Sequence, residues 1–267
     1  MAAVDGAATS QHSPATGWSL NTNGLIARPC TAHCGEILQR RDHVLVGLSP
    51  GNSYFSVDRI TRMAQWACTH FNGMHFFTWE EPHAWSLYAV GLPWEKAKKH
   101  ANKNYRNVLN KARKALWAAG IEDPDSRILT WPKLKKIPAY RELRGNVYEL
   151  FDRDAGFRDS CLTETRRYLA AQPLLGDLSF EARTTIAVRY YLEEIPLFVD
   201  TPRLVGANSS VYCYHQLSPF RQQLYQHKLS VKPAPGQACV TLEDEQSGQP
   251  ARLHACADVE SVADSVN

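Results

Sequence analysis

Apolar positions along this chain alternate between short continuous runs and longer stretches with helical spacing. Val44, Leu45 and Val46 form a run suited to a buried strand. Ile60, Met63, Ala64, Ala67 and Phe71 then recur at helical spacing over 57–71, and His75–Trp79 (HFFTW) reads as a second strand. Strand, turn, helix and strand within about 35 residues make a βαβ unit, hence a parallel sheet covered by helices. Pro93 opens a long helix that runs to Ala119 and stops at Gly120, and Arg127–Trp131 (RILTW) reads as a strand. Helical spacing returns over 138–171, with a break near Gly156, and over 179–194. The apolar runs Pro196–Val199 and Val211–Tyr214 read as the last parallel strands, and Cys239–Leu242 as an edge strand. The pattern predicts one α/β domain over residues 25–242, with no internal repeat. A small, polar leader (1–24) and a polar, acidic tail (243–267) without periodicity flank it and are expected to be disordered.

With 267 residues and 44% hydrophobic content, the chain can bury a sizeable core. The first residues lack a cationic start followed by an apolar segment, so no secretory signal is read there. No apolar run approaches the roughly 18 residues a membrane span needs, and the expectation is a soluble, cytoplasmic protein with no membrane partner. Seven scattered cysteines, an odd number, point to reduced thiols. Cys30-x-x-His33-Cys34 could supply metal ligands, but no second ligand pair stands at a metal-site spacing; buried or surface thiols are the competing reading, and no metal is expected.

Net charge is only +3, but its distribution is uneven. Eight cations (Lys96, Lys98, Lys99, Lys103, Arg106, Lys111, Arg113 and Lys114) stand in the long helix, with no acid between Glu95 and Glu122. Solvated helix faces usually mix signs, because opposite charges at i,i+4 help and like charges cost. Lys99, Lys103, Arg106 and Arg113 share one stripe, while Ala97, Ala101, Tyr105, Val108, Ala112 and Leu116 form the opposite, apolar one. A one-signed stripe suits a phosphate backbone. The plain alternative is a solvated face with no function. No zinc finger, helix-turn-helix or RNA-recognition motif accompanies it, so the helix would hold a backbone without reading bases.

Gly47-Leu48-Ser49-Pro50-Gly51 matches the G-x-S-x-G nucleophile elbow, and Ser56 is placed to cap the helix that follows. A hydrolase reading fails on Pro50. The residue after an elbow serine supplies an oxyanion-hole N–H, and proline has none. Too few residues also precede Ser49 to build the second donor.

Three blocks, GLSPGNSYFS (47–56), YYLEEIPLF (190–198) and SSVYCYHQ (209–216), in this order around a basic helix, closely resemble the cyclodipeptide synthases. The resemblance covers about 36–242. It implies a Rossmann-like parallel sheet with helices on both faces, similar to class Ic aminoacyl-tRNA synthetase catalytic domains. It also implies a reaction without ATP or other cofactor, in which two aminoacyl-tRNAs yield a cyclic dipeptide by a ping-pong route, in a monomeric enzyme with no DNA partner. Carried over by residue, it makes Ser49 the nucleophile, with Gly47 leaving room beside it and Asn52 holding its turn. Tyr190 and Glu194 would bind the α-ammonium, Glu194 taking protons from attacking amines. Tyr214 would relay a proton during cyclisation, and His215 would support that strand end. Lys103, Arg106, Lys111, Arg113 and Lys114 match tRNA-contacting positions, with Lys99 on the same stripe. The first aminoacyl pocket would be lined by Leu45, Gly47, Phe77, Trp131, Leu197 and Tyr212, whose bulk implies a small first residue such as Gly or Ala. At the position where the family pattern puts a polar group for the second pocket, this chain has Ala171.

The chemistry is consistent on its own terms. An aminoacyl-tRNA is an activated ester, so its transfer needs a nucleophile and positioning. Tyr190 and Glu194 are four apart, on one helix face just before Pro196, where a proline should end the helix. Glu193 is the rival acid, and only the family register prefers Glu194. The alternative function is a catalytically silent tRNA- or RNA-binding protein on the same fold.

Overall fold

The computed structural model describes residues 20–245. Along the chain lie β1 (Leu20–Thr22), β2 (Leu25–Pro29), α1 (Ala32–Leu38), β3 (His43–Gly47), α2 (Val57–His70), β4 (Gly73–Thr78), α3 (Glu81–Val90) and α4 (Trp94–Ala118). They continue as β5 (Ile128–Thr130), α5 (Trp131–Leu134), α6 (Pro138–Arg153), α7 (Ala155–Ala170), α8 (Phe180–Val205), β6 (Ser210–Tyr214), α9 (Pro219–Tyr225) and β7 (Gln237–Asp244). One sheet holds all seven strands in the order β1-β2-β7-β6-β3-β4-β5. The five from β7 to β5 pair in parallel, whereas β1 and β2 add an antiparallel hairpin beyond β7. Every residue of β3 is buried, as a central parallel strand covered on both faces must be. The expected α/β class and Rossmann-like core are present.

Several expectations need correction. Leu20–Thr22, inside the stretch read as a leader, is β1. Cys239–Leu242 belongs to a strand between β2 and β6, not to an edge. Glu243 and Asp244, read as the start of a tail, finish that strand, and Asp244 accepts hydrogen bonds from Arg59 and Arg62 of α2 at 2.5 and 2.8 Å. Residues 1–19 and 246–267 of the expected leader and tail lie outside the described residues. Helices α1 and α3 carry no strong period and were not anticipated.

The largest correction concerns Pro196–Val199, which is helical. α8 passes through Pro196 and changes direction at Asp200 (φ −155°, ψ 61°) before its last turn. There Thr201 donates its backbone N–H to the Gln237 side chain at 2.7 Å, and the Asp200 carboxylate accepts from the Arg203 backbone N–H at 3.3 Å. The break leaves these donors satisfied. Ile195–Val199 are all buried, and a helix enclosed on every side shows the same continuous apolar run as a central strand.

α8 is tied to α6 through Glu193, which is 5% exposed. Its carboxylate accepts from Arg144 Nε at 2.8 Å, Tyr140 Oη at 3.0 Å and Tyr148 Oη at 2.8 Å. Glu193→Ala would strand three donors at once. We expect a loss of about 2 kcal/mol, discounted because Arg144 is partly exposed, seen as a lower urea midpoint. An unchanged midpoint would show that the clamp contributes nothing.

Candidate active site

Chain order runs from β3 outward through β4 and β5 on one side, then returns to place β6 on the other side of β3. The crevice at the carboxyl ends of β3 and β6 is thus a topological switch point, where open α/β sheets bind ligands. Ser49 follows β3 by two residues, and Tyr214 is the last residue of β6. Their hydroxyls meet at 2.6 Å.

The turn that carries Ser49 is built from its own sequence. Pro50 and Gly51 (φ 73°) occupy the centre of a type II turn, which favours proline first and needs a positive φ second, and Asn52 N–H closes it on Ser49 O at 3.4 Å. The Asn52 side chain then accepts from Tyr54 N–H at 2.9 Å, which fixes the next bend. Ser56 caps α2 by accepting from Arg59 N–H at 3.2 Å. The Tyr54 ring stacks on His215 with centroids 4.1 Å apart and lies under Arg59, which also donates to its hydroxyl at 2.8 Å. Asn52 and His215 are therefore supports: one shapes the turn, the other joins it to the end of β6.

A cavity of about 190 Å³ opens beside Ser49, with Tyr190, Glu194, Tyr212, Tyr214 and His215 in its wall. Glu194 accepts from Tyr212 Oη at 3.2 Å. Burial pushes its carboxyl up to about 7, opposed by the Arg221 guanidinium and the Tyr212 hydroxyl. Adjacent acids thus do different things: Glu193 faces α6 in a structural clamp, and Glu194 faces the cavity.

The residues expected around a first pocket differ in their surroundings. Tyr212 lines the cavity, whereas Leu45, Phe77 and Leu197 are fully enclosed and Trp131 is 8% exposed. Phe77 packs on Tyr212 beside Gly47, with ring centroids 5.9 Å apart. A Cβ on Gly47 would meet Phe77 at 2.8 Å and the Tyr212 hydroxyl at 3.0 Å. Aromatic rings crowd Gly47 on this side. Ala171 is also absent from the cavity wall; polar character comes instead from Glu164, Arg167 and Ser218. Of the basic-helix residues, Lys99, Lys103, Arg106 and Lys114 are exposed as expected. Lys111 instead turns inward to donate to Phe55 O at 3.1 Å, and Arg113 is held by Asp125 at 2.9 Å.

Arg221 was missed by sequence reasoning. It is 5% exposed, donates to Gln216 O at 2.5 Å, and sits 5.0 and 5.4 Å from the Tyr214 and Tyr212 ring centres. It brings a buried positive charge near Glu194, and a lone arginine in a short helix gives no sequence signal of that. A carboxyl titrating near about 7 is the expected signature of Glu194, read by isotope-edited infrared spectroscopy as a band lost in Glu194→Gln. Replacing Arg221 with Met should raise that value further, because the opposing cation is gone. A carboxylate already ionised near pH 4, its ordinary range, would contradict the placement.

The family model for cyclodipeptide synthases matches residues 25–244. The chain is 31% identical over 204 residues to the cyclo(L-tyrosyl-L-tyrosyl) synthase of Mycobacterium tuberculosis, covering 76% of this chain and 70% of that one. It is 30% identical over 224 residues to the cyclo(L-leucyl-L-leucyl) synthase of Bacillus subtilis, covering 82% and 90%. Among solved structures, a cyclodipeptide synthase from Bacillus thermoamylovorans superposes with a TM-score of 0.76 at 26% identity, covering 83% of this chain and 97% of that one. A Mycobacterium tuberculosis structure described as relating these enzymes to type I tRNA synthetases superposes with a TM-score of 0.74 at 28% identity, covering 87% and 99%. With its sequence and its fold both matching, this chain belongs to the cyclodipeptide synthase family, enzymes that form cyclic dipeptides.

Proposed function

We propose that the enzyme makes its cyclic dipeptide from two aminoacyl-tRNAs by a ping-pong route through an aminoacyl ester on Ser49. The observation that carries this reading is the Ser49 hydroxyl, 2.6 Å from the Tyr214 phenol at the mouth of a cavity walled by Tyr190 and Glu194. Ser49 Oγ attacks the first ester carbonyl; the tRNA leaves as its free ribose hydroxyl, with the serine proton. The amine of the bound residue then attacks the second aminoacyl-tRNA ester, forms one amide and releases the second tRNA. The new terminal amine attacks the Ser49 ester, closes the ring and returns a proton to Ser49.

A carboxylate and a phenol at i and i+4 suit an ammonium, and a carboxyl near pH 7 can take the proton that the ammonium must lose before it attacks. Tyr214 is within hydrogen-bond reach of Ser49 Oγ, where the last step returns its proton. Lys99, Lys103, Arg106 and Lys114 supply an exposed positive face for the tRNA phosphates. The reading places a monomeric enzyme in the cytoplasm, where charged tRNAs are made.

The packing of Phe77 and Tyr212 around Gly47 favours a small first residue such as Gly or Ala. Phe77→Ala should open that space, and mass spectrometry should show products with larger residues; an unchanged product spectrum would sink the pocket assignment. Cyclic dipeptides in medium from bacteria expressing the wild type should vanish with Ser49→Ala, while the variant still binds tRNA. Product from the variant would remove Ser49 as the nucleophile, and product from neither would favour a silent RNA-binding protein.

A further inference from the structure

The Cys30-x-x-His33-Cys34 motif takes no part in the site described above. Its two thiols lie where β2 runs into α1, and Cys239 of β7 joins them; all three are free. The antiparallel ladder of β2 on β7 runs one residue past Pro29↔Val240, with Cys30 N–H donating to Cys239 O at 3.0 Å. Cys30 and Cys239 therefore stand directly opposite each other, with their side chains on one face of the sheet. Opposed residues of such a hydrogen-bonded pair have Cα atoms about 5.5 Å apart, inside the roughly 4.4–6.8 Å that a disulfide spans. The two thiols are already hydrogen-bonded to each other.

Cys34 is near but differently engaged, its sulfur accepting from the Cys239 backbone N–H at 3.4 Å. Cys30 is partly exposed, whereas Cys34 and Cys239 are each 1% exposed. The pair thus has a solvent-side sulfur and an internal one. Against burial, which raises it, the hydrogen bond from Cys30 and the Arg221 guanidinium hold the Cys239 thiol below its ordinary value. The same bond keeps the proton on Cys30, whose thiol is pushed up. A thiolate is the attacking form of cysteine, so the internal sulfur is the one prepared to close the bond.

We propose that Cys30 and Cys239 form a reversible disulfide driven by peroxide, a cross-link that fastens the β1–β2 hairpin to β7. The Cys30 sulfur attacks the O–O bond of hydrogen peroxide while its proton passes along the hydrogen bond to Cys239. The departing hydroxide takes that proton and leaves as water, and Cys30 becomes a sulfenic acid. The Cys239 thiolate then attacks the Cys30 sulfur; the S–S bond forms, the S–O bond breaks, and the hydroxide leaves as a second water with a proton from solvent. Two thiols are oxidised to one disulfide, and one peroxide is reduced to two waters. A small thiol reverses the step by exchange.

The test treats purified wild type with hydrogen peroxide at neutral pH, caps free thiols with N-ethylmaleimide and maps unreduced peptides by mass spectrometry. The Cys30 and Cys239 peptides should be joined, and dithiothreitol should part them. Cys30→Ser should abolish the link, and Cys34→Ser should leave it in place. Oxidised wild type should unfold at higher urea than reduced, and oxidised Cys30→Ser should not, because the cross-link closes a loop spanning most of the domain. Cys30 and Cys239 both capped as thiols, under peroxide that oxidises the exposed Cys68, would overturn the proposal. So would a link from Cys30 to Cys34, or to Cys256, which lies outside the described residues. An unshifted urea midpoint in cross-linked wild type would remove the fastening role.

Discussion

The parallel pairing of β3 with β6 is the constraint on which the rest of the site depends. Val44, Leu45 and Val46 lie opposite Val211, Tyr212 and Cys213, and this register brings together two hydroxyls 165 residues apart in sequence. A slip of one residue would send Tyr212 and Tyr214 to the other face of the sheet and separate Tyr214 from Ser49. Burial of both faces of β3 makes such a slip costly, since each of its side chains already has a core to fill.

Charge inside the molecule is arranged around α8. Glu193 is enclosed but satisfied, with an arginine and two tyrosine hydroxyls around its carboxylate. Glu194, one residue on, has one hydroxyl and a more distant buried arginine, and its carboxyl rises toward neutrality. Consecutive residues on a helix point about 100° apart, so one turn of α8 anchors the helix on one side and faces the cavity on the other. Continuation of α8 past Pro196 places Phe198 against Tyr212, with ring centroids 4.7 Å apart, and this backs the cavity wall.

The turn that carries Ser49 has a conformation specified locally, by Pro50, Gly51 and the Asn52 side chain. The stack of Tyr54 on His215 then fastens it to the strand that carries Tyr214. Lys111 fastens the same turn to α4, so a helix with a basic outer face also holds the Ser49 turn in place. Arg59 and Arg62 extend this frame through Asp244 to the last strand.

Local signals were enough for the βαβ unit around Ser49, the cap at Ser56, the limits of α4 and the cationic stripe, because period, proline, glycine and capping residues act over a few positions. The three sequence blocks named the family and most of the residues that meet at the site. Tertiary structure alone decided that Pro196–Val199 is helix, since a fully enclosed helix and a central strand share one apolar pattern. It showed Glu193 clamped to α6 while Glu194 faces the cavity, and it paired Lys111 with Phe55 O and Arg113 with Asp125. It also packed Phe77 on Tyr212 beside Gly47 and buried Arg221 in the cavity wall. Each of these depends on which distant side chain arrives as a neighbour, and the spacing of residues along a chain carries no record of that.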